Sequence, residues 1–292
     1  MEKIQYLDLP NCLRLTNGDA EVFVTTEFGP RVIGYSLAGG ENILGFHPGA
    51  QVETEIGNWK PYGGHRLWIA PENMPNSYAP DNAPVEYVFD EQNNSVRLTA
   101  PVEAATEMQK EITVSLDETG SGVLVRHKIT NRGAANAELS VWALTIMRGG
   151  GEVFIPNEPL APYSPQTLLP VRSLTCWSYT DFTDSRWQFD RDFIRLRVDE
   201  NKGEPQKIGV LNKQGWAMYR ASGLEFIKRF EFVENAVYPD MNSNTEVYTA
   251  GSFVEIETLS PLRKIAPGES AEHTERWELK KISKATIEKR LS

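Results

Sequence analysis

Short alternations of apolar and polar residues, broken by Gly, Asn, Pro and Asp, run through most of the chain. The stretches "EVFVTT" (21–26), "VEYVFD" (85–90), "SVRLTAP" (95–101) and "KEITVSL" (110–116) show them. So do "GVLVRHKITN" (122–131), "AELSVWALTIM" (137–147), "FIRLRVD" (193–199), "LEFIKRFEF" (224–232), "SFVEIETL" (252–259) and "HTERWELKKI" (273–282). A period of two residues predicts β-strands, and polar Gly-rich links such as "DEQNNS" and "DETGSG" predict turns between them. Helical periodicity is confined to "SKATIEKRLS", which predicts a short C-terminal helix near 283–291 that is too short to be stable without packing. A Pro-rich segment, "VFIPNEPLAPYSPQTLLPVRSL" (153–174), reads as a loop lying across the surface. No repeat of fixed period and no linker divides the chain. The expectation is one large all-β domain spanning 1–292, built from stacked sheets.

Alternation also assigns residues to faces. In "LEFIKRFEF" one face carries Leu224, Phe226, Lys228, Phe230 and Phe232. Lys228 either lays its stem along the rings and reaches water, or meets a carboxylate or a ligand oxygen, because an unpaired buried charge is costly. In "SFVEIETL" Phe253, Glu255, Glu257 and Leu259 share a face, opposite Val254 and Ile256. The two glutamates are ordinary on an open surface. Facing a pocket, they raise each other's proton affinity, which suits one of them to proton transfer.

Composition narrows the range of partners. The 292 residues carry a net charge of −10, with 40% hydrophobic and 24% charged residues, values typical of a soluble globular protein. No Lys/Arg-rich block is present, so a nucleic acid or an anionic membrane surface is not expected as partner. Cys12 and Cys176 fit no zinc spacing and are too few for a disulfide framework. The start "MEKIQYLDLP" lacks a signal-peptide pattern, and no apolar run approaches the roughly 18–20 residues of a membrane span. A cytoplasmic protein with reduced thiols is the expectation. No metal or other cofactor is expected either: no pair of the four histidines has metal-ligand spacing, and no phosphate loop or nucleophile elbow occurs. His127 reads as a structural histidine at a core edge, while His47 and His273 have turn-like or surface settings.

One stretch stands apart. "WKPYGGHRLWIAPENMP" (59–75) places His65 and Arg66 behind a Gly-Gly pair, with rings on both sides. It reads as a loop in which Gly63 and Gly64 let the backbone approach closely and Trp59, Tyr62 and Trp68 stack on a ligand.

Three segments together resemble the aldose 1-epimerase (galactose mutarotase) superfamily. They are "TTEFGPRVIGYSLAGGENILGFHP" (25–48), "GVLVRHKITNRGAANAELSVWALT" (122–145) and "FVEIETLSPLRKIAPGESAEHTERWEL" (253–279). The similarity covers most of the chain and is weakest over 156–203. It implies a large galactose mutarotase-like β-sandwich, the supersandwich, with a sugar cleft on a concave sheet. In aldose 1-epimerases a glutamate takes the proton of the anomeric hydroxyl and a histidine protonates the ring oxygen. Carried over, Glu257 in "ETLSP" matches the base, and His65 and Arg66 in "GGHRLW" match the sugar-binding loop. The acid is where this chain departs: its "VWALTIMRGGG" has no histidine, and neither Trp142 nor Thr145 can replace one. The resemblance therefore points to the uncharacterised branch. On this basis Glu257 and His65 are the expected catalytic pair, and Arg31, Arg66, Trp59, Tyr62, Trp68, Lys228 and Glu255 are expected to hold a small-molecule carbohydrate or a sugar phosphate. A non-catalytic sugar-binding or sensing module is the alternative, and a relative of polysaccharide lyases or glycosidases is a further one. A monomer or a homodimer fits either reading.

Overall fold

A computed structural model describes residues 1–282; the helix expected near 283–291 lies outside them. Among the described residues two large sheets, of eleven and ten strands, hold most of the strands, and every strand pair within them is antiparallel. The centre of the eleven-stranded sheet runs in the order Arg31–Leu37, His65–Ala70, Ala137–Met147, Phe253–Leu259, Thr245–Ala250, Gln206–Val210. The centre of the other runs Met108–Leu116, Val123–Asn131, Ser270–Lys281, Leu224–Phe230, Trp216–Ala221. All ten stretches read as strands from their alternation form strands, within a few residues of the expected ends. Residues 157–173, the core of the Pro-rich segment, form no strand and are largely exposed, as expected of a surface loop.

The core lies between the sheets. Val22, Val141 and Ile256 from the larger sheet pack in one cluster with Ile112, Val125 and Trp277 from the other. Alternation decides what each strand gives to it. In Phe253–Leu259, Val254 and Ile256 enter that cluster, whereas Leu259 joins Trp59, Trp68 and Trp142 on the opposite face. The larger sheet is thus covered on both faces, which explains why Leu139–Met147 is buried without interruption although an alternating strand would expose every second residue. No helix among the described residues is long and apolar enough to cross a membrane.

Two expectations need correction. "GGHRLWIA" is not a loop: His65–Ala70 is a strand near the middle of the larger sheet. Gly63 and Gly64 open it with φ of +95° and +70°, and a Cβ on either would stand 2.2 Å from a carbonyl oxygen, of Gly45 or Val32. The close approach they allow is to neighbouring backbone. His273 occupies neither a turn nor the surface, but the buried face of Ser270–Lys281.

Candidate functional site

The outer face of the larger sheet forms the floor of a cavity of about 870 Å³, within the range of small-molecule sites, roughly 300–1,000 Å³. Strand register lays the floor out in rows. Arg66, Leu144, Glu257 and Glu246 face one another across four adjacent strands. Ile146, Glu255, Tyr248 and Lys207 form the next row. Trp68 and Trp142 form a third. Trp59, Tyr78, Trp177 and Tyr179 add aromatic walls. Trp59 and Tyr78 pack edge-on at 5.4 Å between centroids, and Tyr78 donates its hydroxyl hydrogen bond to Glu72 at 2.5 Å.

Glu257 is the most constrained acid on this floor. Its Oε2 accepts hydrogen bonds from the Trp142 indole at 2.9 Å and the Lys207 ammonium at 3.2 Å. Its Oε1 is buried with no partner in the protein. Burial raises the proton affinity of Glu257, Lys207 opposes that rise, and Glu255 adds to it. Glu246, fully buried behind, is also pushed well up by burial. Lys207 stands between the two carboxylates, 2.7 Å from Glu246 Oε2, with its ammonium 4.8 Å and 4.6 Å from the ring centroids of Trp142 and Trp177. Burial pulls its pKa down, but Glu246 and Glu257 outweigh that and leave it well above the usual value, so Lys207 is a fixed cation.

Arg66 stands on the other side of Leu144, two strand spacings from Glu257, or about 10 Å between backbones. Its Nη2 donates to Glu255 at 3.1 Å, and its guanidinium lies 4.6 Å from the Trp68 centroid. Its Nε and Nη1 are buried without partners, as is the Trp59 indole nitrogen. Buried polar atoms are nearly always hydrogen-bonded. Three unpaired donors and one unpaired carboxylate oxygen thus lie around one cavity.

The structure brings together five of the nine residues singled out from the sequence: Glu257, Glu255, Arg66, Trp59 and Trp68 all line this cavity. His65, Arg31, Tyr62 and Lys228 do not. His65 and Arg66 are consecutive in a strand and must point to opposite faces; Arg66 takes the cavity and His65 the space between the sheets. There His65 Nε2 meets His127 Nε2 at 2.6 Å, and His65 Nδ1 meets Thr145 at 2.8 Å. His127 Nδ1 lies 3.0 Å from the His273 carbonyl, which can only accept. Protons therefore run in one sense, from Thr145 to His65 Nδ1, from His65 Nε2 to His127 Nε2, and from His127 Nδ1 to the carbonyl. Burial lowers the pKa of His65 and His127 and holds His273 at about 3, so all three are neutral. Lys228 neither reaches water nor a ligand; it pairs with Glu275 at 2.9 Å, both fully buried. Arg31 is bound by Asp81 and by the carbonyls of Pro61 and Gly63, and Tyr62 stacks on Phe28 at 3.8 Å. Ligand atoms of His65, His127 and Glu275 lie within 4.8 Å of one another. A metal fits them poorly. Two imidazole nitrogens on one tetrahedral ion stand about 3.3 Å apart, wider than the 2.6 Å here, and Lys228 already neutralises Glu275.

Sequence reasoning missed Lys207, Glu246 and His47. His47 lines the cavity with Nε2 buried and unpartnered, and its pKa is lowered by burial. Trp142 and Thr145, unsuited as acids, have other tasks: one holds Glu257 on the outer face, the other His65 on the inner.

No protein-family model matches the sequence, and no curated protein matches it significantly. Solved structures do share the fold. The Slr1438 protein from Synechocystis sp. PCC 6803 superposes with a TM-score of 0.58 at 14% identity, over 96% of this chain and 100% of that one. A galactose mutarotase-like protein from Lactobacillus casei ATCC 334 gives 0.54 at 9% identity, over 92% and 100%. A galactose mutarotase related enzyme from Lactobacillus acidophilus gives 0.54 at 7%, over 94% and 98%. The chain has the galactose mutarotase-like β-sandwich fold.

Proposed function

We propose that the protein binds a carbohydrate in this cavity, with a pyranose ring over Leu144 between Arg66 and Glu257. The observation that carries this reading is the set of buried, unpartnered atoms: Glu257 Oε1, Arg66 Nε and Nη1, and Trp59 Nε1. Hydroxyls, which both donate and accept, would satisfy the carboxylate and the three donors together. The indoles of Trp68, Trp142 and Trp177 supply flat apolar surface for the ring's C–H face. The solved relatives' names support it, since proteins of this fold are described as mutarotase-like. The test is saturation-transfer NMR and calorimetry with a panel of free aldoses. Binding that is lost in Glu257→Gln and Arg66→Ala supports the reading, and no response to any sugar refutes it.

A second reading, interconversion of anomers, is favoured by the raised proton affinity of Glu257 and its free oxygen. Glu257 would take the proton of the anomeric hydroxyl, and because His65 faces away the candidate donor to the ring oxygen would be His47 in its protonated form, the minor one since burial lowers its pKa. Exchange NMR on the sugar that binds decides it. An anomerisation rate unchanged by protein leaves binding as the function.

A further inference from the structure

We infer that the cavity takes saccharides without anionic groups, neutral or amino sugars, and discriminates against sugar phosphates and uronates. This rests on the reading of the cavity as a sugar site and narrows its ligand. Four carboxylates line it, Glu72, Glu200, Glu255 and Glu257, against two cations, Arg66 and Lys207, and the buried Glu246 lies just behind.

Both cations are already committed. Lys207 is held by two carboxylates, at 2.7 Å and 3.2 Å. Arg66 could present its free Nε and Nη1 as a fork to a phosphate. Its charge, however, is balanced by Glu255 at 3.1 Å. A phosphate there would compete with Glu255 and strand a largely buried carboxylate, a costly exchange. A hydroxyl uses the same two donors without that cost. Glu72 and Glu200 are exposed at the rim, and neither has an ion-pair partner among the described residues. They give the entrance a negative potential, which repels an anion and attracts an ammonium group.

The experiment compares matched sets: glucose, glucosamine, glucose 6-phosphate and glucuronate, with the galactose counterparts, by calorimetry at low and at physiological salt. One like-charge contact in partly screened surroundings is worth about a factor of ten. The phosphate and the uronate are therefore expected to bind at least about tenfold more weakly than the parent sugar, with the gap narrowing as salt rises. The amino sugar is expected to bind at least as tightly as the parent. Glu72→Gln with Glu200→Gln, both at exposed positions, narrows the gap further. A sugar phosphate or uronate that binds as tightly as its parent overturns the inference and leaves the sugar site standing. No response to any of the eight sugars overturns both.

Discussion

Lys207→Met removes the cation held between Glu246 and Glu257. Methionine keeps most of the stem volume and a polarizable end against Trp142 and Trp177, so packing changes little. The electrostatic change is large. Removing one partner of a buried pair costs about 3–5 kcal/mol, and here two carboxylates on directly opposed positions of neighbouring strands lose the same cation. The sign of the pH dependence follows from their proton affinities. Burial already raises both above 4.5, and Lys207 opposes that rise, so its removal raises them further. A carboxylate with a higher pKa in the folded state binds more protons there than when unfolded, so stability falls as pH rises from about 4.5 towards the folded value, by up to about 1.4 kcal/mol per pH unit for each group. The deficit is therefore smallest near pH 5 and reaches about 3–5 kcal/mol by pH 8. Urea unfolding followed by tryptophan fluorescence at pH 5, 6.5 and 8 measures it. Adding Glu246→Gln to the Lys207→Met background recovers at least half of the loss, because one of the two stranded charges is gone. A deficit that is the same at pH 5 and 8, or no recovery in the double variant, refutes this account of the cluster.

Other consequences follow from the histidines between the sheets. His65→Gln breaks the chain from Thr145 to His127 and lowers stability by about 1–3 kcal/mol, while sugar binding stays at the wild-type level; weakened binding with unchanged stability would place His65 in the site after all. His273 stays neutral down to about pH 3, whereas in the unfolded chain it takes up a proton near 6.5. It therefore contributes a loss of stability as pH falls from 6.5 to 5, approaching about 1.4 kcal/mol per pH unit. His273→Gln is expected to flatten that part of the stability profile, and a parallel profile would refute the assignment.

The fold was legible because alternation and turn chemistry are local signals. All ten predicted strands form, and the pairing of Glu255 with Glu257 on one face, opposite Val254 and Ile256, follows from period two alone. The stretch at 59–75 shows where such signals fail. Its two left-handed glycines read as a loop, so His65 and Arg66 seemed free to point the same way, yet they open a strand that forbids it. Had that strand been recognised, the separation of the two side chains would have followed. Lys207 and Glu246 are a different case. "EPQKIGV" and "NTEVYTA" contain no unusual residue, and although Glu246 and Glu257 face each other across one hairpin, Lys207 joins them only through the pairing of a strand some forty residues earlier in the chain. No local pattern reports that. The same holds for Lys228, whose partner Glu275 comes from a strand some fifty residues later.

The larger sheet carries two polar systems back to back on the same strands. His65 and Arg66 are neighbours in sequence but face different compartments, and so are Thr145 and Leu144, or Thr258 and Glu257. One ply of backbone therefore separates a stabilising proton-ordered lining from a surface that meets solutes. Under the proposed reading, substitutions on the cavity side change which sugar is held, one alternate residue at a time, while the reverse side keeps the two sheets joined. Such a sheet can drift in specificity without first loosening its fold.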